Sequence, residues 1–228
     1  MEFQNKGICR FCLKTFSGPS MGRHLLACKT KQQKDLDKIN NLKEIYHIKI
    51  SAYEPFWLHI EMDSNATLFD LDEFLRDIWL ECCGHLSEFK INGARYIGYE
   101  EEDGIWQTES KSMDIKLNQV LNVKDKFEYS YDFGSTTYVQ GHILHAREGI
   151  LDGKIRILAR NNPPLFQCEN CQNIATEICV QCEEAYCDKC ISVHDCEEDF
   201  FLPVVNSPRM GVCGYVGEYD FDKFDLTA

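Results

Sequence analysis

Residues 168–196 hold seven cysteines and one histidine in the order C-x2-C-x7-C-x2-C-x4-C-x2-C-x3-H-x-C, and this stretch limits what the chain can fold into more than any other. Two thiolates separated by two residues reach one tetrahedral Zn²⁺ at about 2.3 Å when the loop between them forms a tight knuckle. Cys168/Cys171, Cys179/Cys182 and Cys187/Cys190 are three such pairs, and His194/Cys196 is a tighter fourth. Four pairs supply the donors for two closed sites. Only four residues separate Cys182 from Cys187, so an interleaved arrangement is easier to build than two sequential sites. The expected partition is a cross-brace, with Cys168, Cys171, Cys187 and Cys190 on one zinc and Cys179, Cys182, His194 and Cys196 on the other. Closed four-donor sites leave no position for water, so the expected role is structural. For the eighth ligand two choices stay open, Cys196 and Cys213.

Disulfides are the competing reading of so many cysteines, and they require an oxidising compartment. The opening Met1-Glu-Phe-Gln-Asn-Lys6 has no apolar stretch of the signal-peptide kind, so a reducing, cytoplasmic setting and metal-bound thiolates are expected. The array resembles B-box and AN1-type zinc domains, the latter also closing on a His-x-Cys pair.

A second framework lies at the N-terminus, where Cys9, Cys12, His24 and Cys28 are spaced C-x2-C-x11-H-x3-C. A knuckle followed by His and Cys four apart on a helix puts four donors around one ion. Phe16 and Met21 stand where a small ββα core is needed, and Gly18-Pro19 suits a helix start. The segment resembles a C2HC variant of the C2H2 zinc finger. That resemblance places base contacts on Ser17, Ser20 and Arg23. Lys14, Arg23, Lys29, Lys31 and Lys34 are candidates for phosphate. With the C-terminal pair of sites, three zinc ions are expected in all.

Charge sharpens this picture. The net charge is −13, but residues 1–45 carry +5, residues 46–161 carry −8 and residues 162–228 carry −10. A polyanion would therefore meet residues 1–34 and be repelled elsewhere. No apolar run approaches the length of a membrane-spanning helix, and 44% hydrophobic residues suffice for a real core.

Between the cysteine-rich ends the periodicity changes. Residues 31–44 read as a charged helical linker extending the finger helix, with a weak stripe of Leu36, Ile39 and Leu42. Ile45–Tyr53 and Phe56–Met62 alternate as two strands joined at Glu54-Pro55. Leu68–Leu80 has apolar residues at helical spacing behind an N-cap at Thr67, with Cys82-Cys83-Gly84 as its stop. Asn92-Gly93 between Ser87–Ile91 and Arg95–Tyr99 signals a hairpin. Glu100–Asp103 reads as a solvated acidic loop, Leu117–Leu121 as a helical turn, and Lys126–Asp132, Thr136–Ala146 and Ile155–Leu158 as strands. The order implies an α+β fold, with a β-grasp-like sheet clasping one main helix between the two zinc modules.

The expected domains are a finger at 1–30, the linker at 31–44, the β-grasp-like domain at 45–161, the two-zinc domain with a packed tail at 162–215, and an acidic, mobile tail at 216–228.

Tyr46-x-Ile-Lys-Ile50, Trp57, Thr67-Leu68, His85-Leu-Ser-Glu-Phe-x-Ile91, Gly93, Tyr96 and Asp125-x-Phe127-x-Tyr129-x-Tyr-Asp-Phe-Gly134 together resemble the plasmid Ri open-reading-frame-three-like family. The resemblance runs over roughly residues 45–150. It departs at Ser135-Thr-Thr-Tyr138, where the family usually has an acidic residue, tryptophan and histidine, so a family site there would be altered. It implies a fold and assigns no activity.

Catalytic constellations are weak. Asp132-Phe-Gly134 has no accompanying phosphate loop, strand lysine or His-Arg-Asp loop. His142 and His145, three apart on a strand, should face opposite sides. Cys83 and His85 follow a helix C-terminus, whose dipole disfavours a thiolate. A zinc-clamped interaction protein with a protein partner is the first expectation, nucleic-acid binding the second, and an enzyme using a hollow near His85 and Tyr131 the third.

Overall fold

The computed structural model describes residues 5–36, 42–98, 110–196 and 200–217. The Glu100–Asp103 loop, Ile39 in the linker stripe and nearly all of the acidic tail lie outside the described residues.

The chain opens with β1 (Lys6–Cys9), β2 (Thr15–Ser17), α1 (Gly18–Ala27) and α2 (Lys29–Leu36). Strands β3 (Lys43–Ser51) and β4 (Trp57–Asp63) form an antiparallel pair through the Glu54-Pro55 turn. Next come α3 (Leu68–Leu75), which runs on as a π-helical turn over Arg76–Leu80, and β5 (Ser87–Ile91), β6 (Ala94–Ile97) and β7 (Ser110–Ser112). The middle of the chain finishes with α4 (Leu117–Val120), β8 (Lys126–Tyr131), β9 (Thr137–Gly149) and β10 (Ile155–Asn161). The last part adds β11 (Glu177–Cys179), β12 (Ala185–Tyr186), α5 (Asp188–Ile191) and β13 (Phe201–Pro203).

Ten strands form one sheet in the order β2-β1-β10-β4-β3-β9-β8-β5-β6-β7, and β12-β11-β13 form a second. The large sheet is mixed, because β6 and β7 run parallel while its other neighbours are antiparallel. The fold is thus α+β, with a large mixed sheet and several helices.

Local chemistry accounts for the elements around the helix. Thr67 Oγ1 accepts from Asp70 N at 3.1 Å while Asp70 Oδ2 accepts from Thr67 N at 2.8 Å, a reciprocal cap that satisfies two orphan donors. Leu68, Leu71, Phe74, Leu75 and Ile78 bury one face of the helix in the main core, with Ile48, Leu58, Ile60, Phe89 and Tyr129. Each such side chain contributes roughly 1.5–3 kcal/mol through burial. The helix ends earlier than Gly84. Glu81 N reaches back to Arg76 O at 2.9 Å, and Glu81 is already extended. Asn92 and Gly93 both take positive φ, 50° and 82°, as a two-residue hairpin turn requires.

The N-terminal segment does not stand apart from the sheet. Gly7, Ile8 and Cys9 pair with Asn161, Arg160 and Ala159 of β10, so the β1/β2 hairpin is the end of the large sheet. Helix α1 stops at Cys28, whose backbone is extended, and α2 begins at Lys29. Alternation along β4 sends Leu58, Ile60 and Met62 into the main core. Trp57, His59 and Glu61 point to the opposite face, which is buried too. What covers them is the N-terminal unit: Trp57 packs with Met21 and Leu25, and Lys31 pairs with Glu61 at 2.7 Å.

The strand pattern misleads in one place. The β3/β9 register slips between His47 and Ile48, so His47 faces His145 while Lys49 faces His142. His142 and His145 therefore share a face, because a bulge inserts one extra residue between them.

Candidate metal centres

Among the described residues, four groups of Cys and His side chains bring their donor atoms within 4.8 Å of one another. They suggest structural zinc sites. Donors on a tetrahedral ion at about 2.3 Å (S) and 2.0–2.1 Å (N) lie about 3.8 Å apart sulfur to sulfur and about 3.5 Å sulfur to nitrogen. A disulfide would bring two sulfurs to about 2.05 Å.

The first group is Cys9, Cys12, His24 and Cys28. Cys9 Sγ lies 3.9 Å from Cys28 Sγ, and Cys12 Sγ lies 3.4 Å from His24 Nε2. These are tetrahedral edges. The knuckle is set by Leu13, which takes φ 58° and donates its N–H to Cys9 O at 2.8 Å. Helix α1 carries His24 to the knuckle, where Phe16 stacks on its ring at 3.7 Å. Burial pushes the Cys9 thiol up to about 11, so an ion entering here must displace a firmly held proton.

Cys168, Cys171, Cys187 and Cys190 form the second group, with Cys171 Sγ 3.7 Å from both Cys187 Sγ and Cys190 Sγ. Burial raises the Cys187 thiol, but the backbone N–H groups of Cys190 and Lys189, together with the thiols of Cys171 and Cys168, outweigh it and hold the group well below the usual thiol range. Such N–H···S bonds favour the thiolate that a metal needs.

Cys179, Cys182, His194 and Cys196 form the third group, with Cys182 Sγ 3.4 Å from His194 Nε2. Its knuckle repeats the backbone of the first, since Glu183 takes φ 60° and donates to Cys179 O at 2.8 Å. Tyr186 packs edge-on against His194 where Phe16 stacks on His24, and each aromatic residue stands four after the second cysteine of its knuckle. The second and third groups interleave along the chain, and it is Cys196, not Cys213, that lies with the third.

Cys213 lies elsewhere. It meets Cys82, Cys83 and His85 in a fourth group that the spacing did not disclose. The available signal was arithmetic: after the three frameworks, Cys82, Cys83 and Cys213 are the cysteines left over, and His85 is two residues from Cys83.

The basic residues of the N-terminus divide. Lys14, Arg23, Lys29 and Lys34 are exposed, and Ser17 and Ser20 bond each other at 2.9 Å. Lys31 is only 7% exposed and pairs with Glu61 and Asp35, so it is not free to meet a phosphate. Arg147 joins the same cluster, bonding Glu61 with Nε and Nη2 at 2.8 Å each, and Arg156 also contacts Glu61.

At Ser135 and Thr137 the hydrogen-bond partner comes from the tail. Arg209 of the tail, fully buried, donates to Ser135 O at 2.5 Å and to Thr137 Oγ1 at 3.1 Å. Asp132 has φ 63° and accepts from Gly134 N at 2.9 Å, so Asp132-Phe-Gly134 is a strand end entering a turn.

Residues 44–142 match the family model described as plasmid pRiA4b ORF-3-like protein. The match covers less than half of the chain and contains none of the N-terminal or C-terminal cysteine groups. A crystal structure of a protein of unknown function from Methanosarcina mazei Go1 is similar at 21% identity and a TM-score of 0.44, over 55% of this chain and 71% of that one. None of the curated proteins matches. Among the described residues, no helix is long and apolar enough to cross a membrane.

Proposed function

We propose that this is a non-enzymatic, zinc-clamped interaction protein working in a reducing, cytoplasmic setting and serving as an adaptor for a protein partner. In this reading residues 1–30 are a C2HC finger, residues 45–161 a β-grasp-like domain, and residues 162–215 a two-zinc cross-brace. Three Zn²⁺ ions are held by Cys9/Cys12/His24/Cys28, Cys168/Cys171/Cys187/Cys190 and Cys179/Cys182/His194/Cys196. The observation that carries it is the donor geometry: three sets of four Cys/His donors, each gathered within 4.8 Å with the pairs Cys9/Cys28, Cys171/Cys187 and Cys182/His194 near tetrahedral edge lengths, enough to fill the four positions of a zinc ion. Closed sites stabilise shape, and shape presented on small modules serves recognition.

Elemental analysis of the reduced, tag-free chain, with Cys12→Ser beside it, is the test. Loss of one equivalent in the variant supports the reading. A folded, metal-free wild type would overturn it.

Nucleic-acid binding is kept as a second reading because Lys14, Arg23, Lys29 and Lys34 are exposed on the one basic segment. It requires a mobility shift with duplex DNA that weakens steeply with salt and disappears in Arg23→Glu. No shift at low ionic strength removes it.

A further inference from the structure

We infer that Cys82, Cys83, His85 and Cys213 form a fourth zinc site, exposed to solvent, that clasps the C-terminal tail onto the large sheet. The inference extends the zinc reading to residues outside the three frameworks.

Four donors converge from two segments far apart in the chain. Cys83 Sγ lies 3.9 Å from both Cys82 Sγ and Cys213 Sγ, close to the sulfur–sulfur edge of a zinc tetrahedron. His85 Nε2 lies 3.1 Å from Cys83 Sγ and 3.2 Å from Cys213 Sγ. A single ring nitrogen makes one good hydrogen bond, so two sulfurs aimed at Nε2 are better satisfied by an ion shared among them. The same geometry argues against a nucleophilic Cys-His-Asp relay. Asp132 Oδ2 also faces Nε2, at 3.5 Å, whereas a relay needs the acid on the other ring nitrogen.

Both segments are held in place by their surroundings. Arg76 leaves the π-helical turn and donates to His85 O at 2.7 Å, to Ser87 Oγ at 2.9 Å and to Glu81 at 2.8 Å, which fixes the turn that presents Cys82, Cys83 and His85. On the tail, Ser207 Oγ donates to Trp79 O at 2.5 Å and Arg209 pairs with Asp132. Beyond them, Gly211, Cys213 and Gly214 all have positive φ, at 76°, 52° and 69°. A left-handed backbone at a non-glycine residue costs free energy and persists where surrounding structure requires it. Here it turns the Cys213 sulfur towards the other three donors.

Exposure separates this site from the others. Cys83 and Cys213 are both exposed, whereas each of the other three groups keeps at least one cysteine fully or nearly fully buried. An ion here is the first that a chelator reaches, so the clasp is the part of the metal framework that can open while the rest holds.

The full chain, purified reduced, is analysed for zinc together with Cys213→Ser, Cys83→Ser and Cys12→Ser. Four equivalents are expected in the wild type and three in each variant. Trypsin cleavage after Arg209, which is 0% exposed, reports release of the tail. It should accelerate by about tenfold or more in Cys213→Ser and Cys83→Ser, and stay at the wild-type rate in Cys12→Ser. Three equivalents in the wild type, falling to two only in Cys12→Ser, would overturn the fourth site and leave the three-zinc reading standing. Unchanged cleavage after Arg209 in Cys213→Ser would overturn the clasp. So would a Cys83–Cys213 disulfide found by peptide mapping of unreduced protein.

Discussion

Arg209 Nη2 lies 2.5 Å from Asp132 Oδ2, joining the tail to the end of β8 across 77 residues of sequence. The guanidinium is fully buried and packs over the Tyr131 ring, which the guanidinium of Arg76 also approaches. The Arg209 bond also holds the Asp132 carboxyl down to about 2.

Removing one member of such a pair leaves the other charge without its partner. Arg209→Ala should therefore destabilise the protein by about 3–5 kcal/mol, read as a lower urea midpoint. Arg209→Met with Asp132→Asn should recover part of that loss. Equal loss in the single and double variants would mean that packing, and not the ion pair, sets the cost.

Trp57 belongs to two structures at once. Its side chain packs with Met21 and Leu25 of the N-terminal unit, and its Nε1 donates to Asn5 Oδ1 at 2.8 Å. Trp57→Ala should cost about 3–5 kcal/mol. It should also speed chelator removal of the ion held by Cys9, Cys12, His24 and Cys28, leaving the C-terminal ions unaffected. Gly7→Ala should act in the same direction, because a Cβ there would fall 2.1 Å from Arg160 O and 2.5 Å from the Trp57 ring.

Stability should fall on mild acidification, and the sign follows from two buried histidines. Burial brings the His47 imidazole down to about 4 and that of His59 to about 2. An unfolded histidine protonates near about 6.5. The unfolded chain therefore binds more protons below that pH, and stability is lost as pH falls from about 6.5 towards 4. Glu61 continues the trend in more acid solution. Burial raises its carboxyl, but Arg147, Arg156 and Lys31 outweigh burial and hold it below the usual range. Its contribution is present above the unfolded value of about 4.3 and disappears as pH falls through the lower folded value. Urea midpoints at fixed zinc should drop from pH 6.5 to 4, and His59→Leu should flatten the slope. A slope identical to wild type in that variant would contradict a buried neutral His59.

Thr67→Ala should destabilise by about 1 kcal/mol and Thr67→Ser by much less, since serine keeps the hydroxyl that accepts from Asp70 N. Thermal unfolding separates the two.

What could be read from the residues in order was whatever short-range chemistry enforces. C-x2-C spacing makes knuckles, Asn92-Gly93 makes a hairpin, Thr67 with Asp70 starts a helix, and period-two alternation makes β3, β4 and β8, because each depends on residues within one turn of one another. For the C-terminal donors, the four residues between Cys182 and Cys187 favoured an interleaved partition but left Cys196 and Cys213 both open for the eighth position.

Local pattern misled where a second layer intervened. Residues 31–44 read as a charged helical linker, yet Lys31 and Asp35 are drawn into the Glu61 cluster, and only the fold brings those charges together. His142 and His145 share a face because of a bulge that no spacing announces.

The sequence by itself determined the knuckles, the strands and the chemical character of the donor sets, since those follow from which side chains stand a few residues apart. Only the tertiary structure decided that the N-terminal hairpin completes the large sheet, that Arg209 fills the turn after β8, and that Cys213 meets Cys83. Those contacts join segments from 72 to 154 residues apart, and over such loops spacing carries no information. Packing and charge pairing select the partner instead.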